Sequence, residues 1–161
     1  MSRPAADTLG SAFDPLRLSD RSVAIKLVAV LFGTALMTAS SYVSVPMIPV
    51  PMTMQTLAAT LIGALYGWRL GALTIAVWLM QGALGLPVFS NGTGGIARLI
   101  GPTGGYLFGF IIAAALTGWL AQRGWTGDRI VRSFFSMLAG TAVIMLMGWA
   151  WLANMIGPEK A

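Results

Sequence analysis

An all-α, polytopic membrane helix bundle is the fold class this sequence predicts, and three observations predict it. Of the 161 residues 57% are hydrophobic and 9% charged, and mean hydropathy is +0.78, whereas an ordinary soluble domain carries roughly 25% charged residues. The apolar residues fall into five long stretches separated by short polar or Pro- and Gly-rich segments. Basic residues gather in alternate connections between those stretches, as the positive-inside bias of membrane proteins requires. Roughly five or six helices of about 20 residues fit in such a length, so the chain is expected to pack as one unit with no separate soluble domain.

Residues 1–21, rich in Ser, Asp, Arg and Pro, lack the apolar core and small-residue cleavage site of a signal peptide. They are read as a polar cytoplasmic tail that stays on the protein, followed by a single integral membrane domain over 22–161. The first span is placed at Val23 to Val45, an apolar run without proline until Pro46. A short second span runs from Thr53 to Gly67 and a third from Leu70 to Leu86, with Arg69 between them. The fourth is placed at Thr103 to Gln122 and the fifth at Ile130 to Ile156.

Charge orients this arrangement. With the N-terminus in the cytoplasm, Arg3, Arg17, Arg21, Lys26, Arg69, Arg123, Arg129 and Arg132 fall inside, and only Arg98 and Lys160 fall outside. The pI near 10.5 is therefore topological, and nucleic acid is not expected as a partner.

Two interruptions, VPMIPVPMTMQ and GLPVFSNGTGGIARLIGPTGGY, then share the outer face. Non-helical backbone at membrane depth is tolerated only where protein or a water-filled cavity satisfies it, so these segments suggest a pocket. Pro- and Gly-rich turns that merely join helices are the plainer alternative. Gln55, Asn91, Thr93, Arg98, Thr103 and Tyr106 are the candidate binding residues. The Arg98 guanidinium suits a ligand carboxylate or, equally, a lipid phosphate. Gln55, Asn91 and Thr93 suit a neutral polar ring or, equally, loop capping.

Small residues recur four apart in Ala29-xxx-Gly33, Ala35-xxx-Ala39, Gly63-xxx-Gly67-xxx-Gly71 and Gly105-xxx-Gly109. Such spacing lets helices approach closely, within the chain or against another membrane protein.

The five acidic residues Asp7, Asp14, Asp20, Asp128 and Glu159 all lie in tails or loops, and His and Cys are absent. No span carries a carboxylate to couple an ion gradient, acid-base, nucleophilic and metal chemistry lack their usual side chains, and no Walker A lysine exists. Neither enzyme activity nor a cofactor or metal is expected. A binder without an engine needs a partner that supplies one.

The segments VPMIPVPMTMQTLAATLIGALYGWRLGALT and QGALGLPVFSNGTGGIARLIGPTGGYLFGF closely resemble the BioY family, the biotin-specific substrate-binding components of energy-coupling factor transporters. The resemblance covers roughly residues 20 to 157, and PVPMTMQTLA, GALGLPVF and GPTGGYL carry it. It implies a six-helix membrane fold in a bacterial cell membrane, biotin capture at the outer face, and uptake in complex with a transmembrane coupling protein and two ATPase subunits. It also implies ligand contacts within Pro49 to Gln55 and Asn91 to Tyr106, with Arg98 placed for the carboxylate tail. Docking of the coupling protein falls on Ala35 and Ala39, with Ala29 and Gly33 as the neighbouring option. Family members continue into a sixth helix opened by a Pro-Gly-Asp-x-x-Lys-like stretch that contributes to the site, whereas this sequence ends at Ala161 with five spans. The competing expectation is a non-transporting scaffold or degenerate fragment that assembles partners without holding a solute.

Overall fold

The computed structural model describes residues 16, 18, 21–48, 50–125 and 130–158. The tail at 1–15, Arg17, Asp20, Pro49, Asp128, Arg129, Glu159 and Lys160 lie outside the described residues. Helix dominates, and four helices among the described residues are long and apolar enough to cross a membrane.

Helix α1, Val23–Tyr42, follows the Ser22 cap and stops three residues short of the expected Val45. The difference comes from strand pairing. Ser44–Val45 (β1) and Met52–Thr53 (β2) form an antiparallel hairpin, Ser44 opposite Thr53 and Val45 opposite Met52. Pro46 and Pro51 cannot continue a helix, and the hairpin satisfies the backbone groups that the proline-rich segment would leave open. Helix α2 consequently begins at Gln55 rather than Thr53.

Helix α2, Gln55–Ala83, has 29 residues and breaks at Gly67, where φ is 77° and ψ 171°. A straight helix of that length would reach about 44 Å, well beyond the roughly 30 Å hydrocarbon core. It reverses instead. A Cβ built on Gly71 would stand 3.0 Å from the Gly63 Cα, whereas residues eight apart on a straight helix are separated by about 12 Å. The second and third expected spans are thus the two arms of one helical hairpin, residues 55–66 and 68–83, and the Gly63, Gly67, Gly71 series is its crease. Only glycine adopts this combination of φ and ψ without strain.

Beyond α2, Gly95 N–H donates to the Gly82 carbonyl at 2.7 Å and Phe89 N–H to the Thr93 carbonyl at 2.9 Å. The second interruption therefore folds tightly and includes a short helix α3, Ile96–Ile100. Helix α4, Gly104–Leu120, runs into a wider turn at Ala121–Trp125 that ends on Gly124, with φ 80°. Helix α5 occupies Ile130–Ile156, the bounds expected for the fifth span.

Small residues set the packing. Gly63 meets Ala114 and Thr117, Gly118 meets the Gly67–Trp68 peptide, Gly105 meets Trp151, and Gly109 meets Ile144. Helix α4 is therefore clasped by the α2 hairpin on one side and α5 on the other. With side chains this small at the crossings, backbones close to van der Waals distance and dispersion holds helices that lipid would otherwise solvate equally well. Helix α1 lies outside, with Gly33 against Thr74 and Tyr66 and Tyr66 Oη donating to the Ala29 carbonyl at 2.9 Å. This alternation places the Gly67 turn beside Gln122 at one end of the bundle and both interrupted segments at the other.

Candidate functional site

Beneath the two interrupted segments lies a chamber of about 210 Å³. Residues from several elements of that end contribute. The hairpin gives Val50 to Thr53, the start of α2 gives Gln55 and Thr56, and the following turn gives Phe89 and Ser90. Arg98 comes from α3, Thr103, Tyr106, Leu107 and Phe110 from the start of α4, and Ile144 and Met145 from α5. The wall is mostly apolar with a few polar groups, the composition expected of a small-molecule site.

Phe89 rests directly on Gly82, where a Cβ would overlap the ring. Trp78, fully buried, meets Phe89 edge-on at 5.1 Å and Phe110 at 6.3 Å between ring centroids. These aromatics form a rigid backing for the apolar wall.

Of the six residues expected to bind ligand, the structure brings Gln55, Arg98, Thr103 and Tyr106 to the chamber. Gln55 is 4% exposed, and its Nε2 is buried without a hydrogen-bond partner among the described residues. Its Oε1 accepts from Thr53 Oγ1 at 2.8 Å. Thr103 Oγ1 donates to the Arg98 carbonyl at 3.1 Å and so holds the end of α3 against the start of α4. Arg98 is half-buried and, among the described residues, is the one cationic side chain in the wall.

Asn91 and Thr93 do not line the chamber. Asn91 is exposed, has a left-handed backbone with φ 59°, and accepts from Ser44 Oγ at 3.3 Å. Thr93 Oγ1 donates to the Ser90 carbonyl at 2.8 Å. Both shape the turn that carries Phe89 and Ser90 into the wall. Asn91 also ties that turn to the hairpin, alongside Tyr42 Oη donating to the Pro87 carbonyl at 2.8 Å. Short side chains with a local hydrogen-bonding reach suit such turn positions.

Residues that sequence reasoning missed are Thr56, Phe89, Ser90, Leu107, Phe110, Ile144 and Met145. Phe89 lies inside the quoted second interruption, but Ile144 and Met145 sit mid-helix with nothing in their spacing to mark them.

The small residues of α1 divide by face. Ala29 and Gly33 are turned onto α2, whereas Ala35 and Ala39 are exposed together with Leu31 and Phe32.

A family profile described as the BioY family matches residues 13–160. A "Probable biotin transporter BioY" of Pyrococcus horikoshii is 41% identical over 137 residues, covering 85% of this chain and 78% of the relative. A "Biotin transporter BioY" of Thermotoga maritima is 40% identical over 115 residues, 71% of this chain and 66% of the relative. A crystal structure of the S-component for biotin from an ECF-type ABC transporter superposes with a TM-score of 0.77 at 26% identity, over 84% of this chain and 75% of that one.

Proposed function

The chain belongs to the BioY family, and from that premise we propose that it is a substrate-binding membrane subunit that captures biotin in the chamber beneath its two interrupted segments. Membership makes it a transport protein rather than an enzyme. The observation that carries the reading is the chamber itself, a partly open and mostly apolar space whose wall holds Gln55 and Arg98. Biotin combines a polar ureido ring, an apolar thioether ring and a carboxylate tail. The Phe89 and Phe110 wall suits the thioether ring, the Gln55 amide the ureido oxygen, and the Arg98 guanidinium the carboxylate.

Orientation follows from charge. Arg21, Lys26, Arg69, Arg123 and Arg132 lie at the end away from the chamber, so the positive-inside bias directs the chamber mouth outward from a bacterial inner membrane. Capture at that face and release inside require work that this chain has no group to perform. We assign that work to a transmembrane coupling protein with two ATPase subunits, docked on the exposed Ala35 and Ala39 face of α1. The ECF-type transporter from which the superposed S-component comes supports such an assembly.

Purified full chain in detergent, heated with increasing biotin and separately with other vitamins of similar size, tests the reading. A saturable gain in stability with biotin alone is expected, worth about 2.7 kcal/mol at a hundredfold excess over Kd. No gain with biotin at any concentration, in protein that still unfolds cooperatively, overturns it.

A further inference from the structure

Thr53 makes two contacts with one neighbour. Its Oγ1 accepts from the backbone N–H of Gln55 at 3.4 Å and donates to Gln55 Oε1 at 2.8 Å. A hydroxyl has a single proton to give. Here that proton goes to the side-chain amide, where only the oxygen can receive it. The amide is thereby held in one of its two orientations, and the NH2 group is the half left over. Strand pairing opposite Ser44 keeps Thr53 in place.

The leftover half is buried and meets no acceptor among the described residues. A buried donor without a partner is destabilising, and the cost is recovered only when an acceptor arrives. Among the described residues no carboxylate lines the chamber, and the one charged side chain there, Arg98, is a donor as well.

Resting on the biotin reading above, we propose that Thr53 is a positioning residue that locks the Gln55 amide so that the chamber presents an NH2 donor, selecting solutes with a carbonyl oxygen at that point; in biotin this is the ureido oxygen. The selection is a matter of polarity rather than size. An analogue of equal shape in which the ureido oxygen is replaced by an imino nitrogen would bring a donor to a donor.

Equilibrium binding of biotin and of that imino analogue to the full-length protein in detergent tests the proposal. The wild-type protein is expected to prefer biotin. Thr53→Val keeps the shape but removes the hydroxyl, freeing the amide to turn. Biotin affinity should fall about tenfold while the preference over the analogue collapses toward one, and Thr53→Ser should restore both. A purely structural role for Thr53 would weaken the two compounds equally. An equal loss for both, or Thr53→Val behaving as wild type, overturns the proposal and leaves the biotin reading intact. Should Thr53→Val fail to accumulate in membranes, Gln55→Glu decides: its carboxylate offers only acceptors, so preference for the imino analogue is expected, and retained preference for biotin overturns the proposal. Binding of neither compound by the wild-type protein overturns the biotin reading and this inference with it.

Discussion

Arg98 is the residue with the clearest division of consequences. It is half-buried in the chamber wall on a helix of five residues, and among the described residues its side chain makes no hydrogen bond that holds α3 or α4. Arg98→Ala should therefore leave stability within about 0.5 kcal/mol while weakening biotin roughly ten- to a hundredfold, the loss expected for a charge-assisted pair. Equilibrium binding of biotin against an uncharged biotin amide checks the assignment, since the amide should lose little. Asn91 behaves differently because it acts through backbone. At φ 59° glycine replaces it with little strain, so Asn91→Gly should bind biotin within a few-fold of wild type, whereas Asn91→Val should cost about 1–3 kcal/mol in thermal unfolding and weaken binding with it. Sequence reasoning selected Asn91 as a ligand contact because an amide in a glycine-rich loop has the right chemistry. Its backbone conformation, which decides where the side chain goes, was not legible there.

Among the elements, the α2 hairpin is the one on which the site depends most. Its reversal at Gly67 requires φ 77° with ψ 171°, a backbone region that residues other than glycine avoid. Gly67→Ala should destabilise the protein by about 1–3 kcal/mol and lower biotin binding indirectly, through Gln55 at the far end of the arm. Thermal unfolding with and without saturating biotin separates the two effects. Helix α1 supplies the contrasting case. Ala35→Leu with Ala39→Leu, on its exposed face, should preserve biotin binding but abolish co-purification with the coupling protein and ATPases, whereas Gly33→Leu should disturb the bundle through Thr74 and Tyr66. The small-residue spacing was readable in the sequence for both pairs. Which pair faced inward was not, because a four-residue repeat marks a stripe without saying what lies opposite.

At the level of the whole molecule, α4 is the hub, clasped between the α2 hairpin and α5 and more deeply buried than α1 or α5. The five apolar stretches are all helical, the second and third joined as the arms of α2 and α5 with its bounds unchanged, because length and hydropathy are local properties. The hairpin β1–β2 and the reversal of α2 depended instead on pairings between segments, and the sequence offered only prolines and glycines as hints. The chamber was legible to the extent that it sits under both interruptions. Its α5 wall was not, since Ile144 and Met145 look like any lipid-facing residues until α5 is placed against α4.

The folded-back helix also bears on the lipid around the protein. Its arms, at about 1.5 Å per residue, are roughly 18 and 24 Å long, short of the hydrocarbon thickness that α1 and α5 can traverse. On that flank the bilayer must thin or the flanking polar side chains must snorkel toward it. Reconstitution into membranes of progressively longer acyl chains should accordingly penalise this protein, and a shorter-chain environment should suit it best.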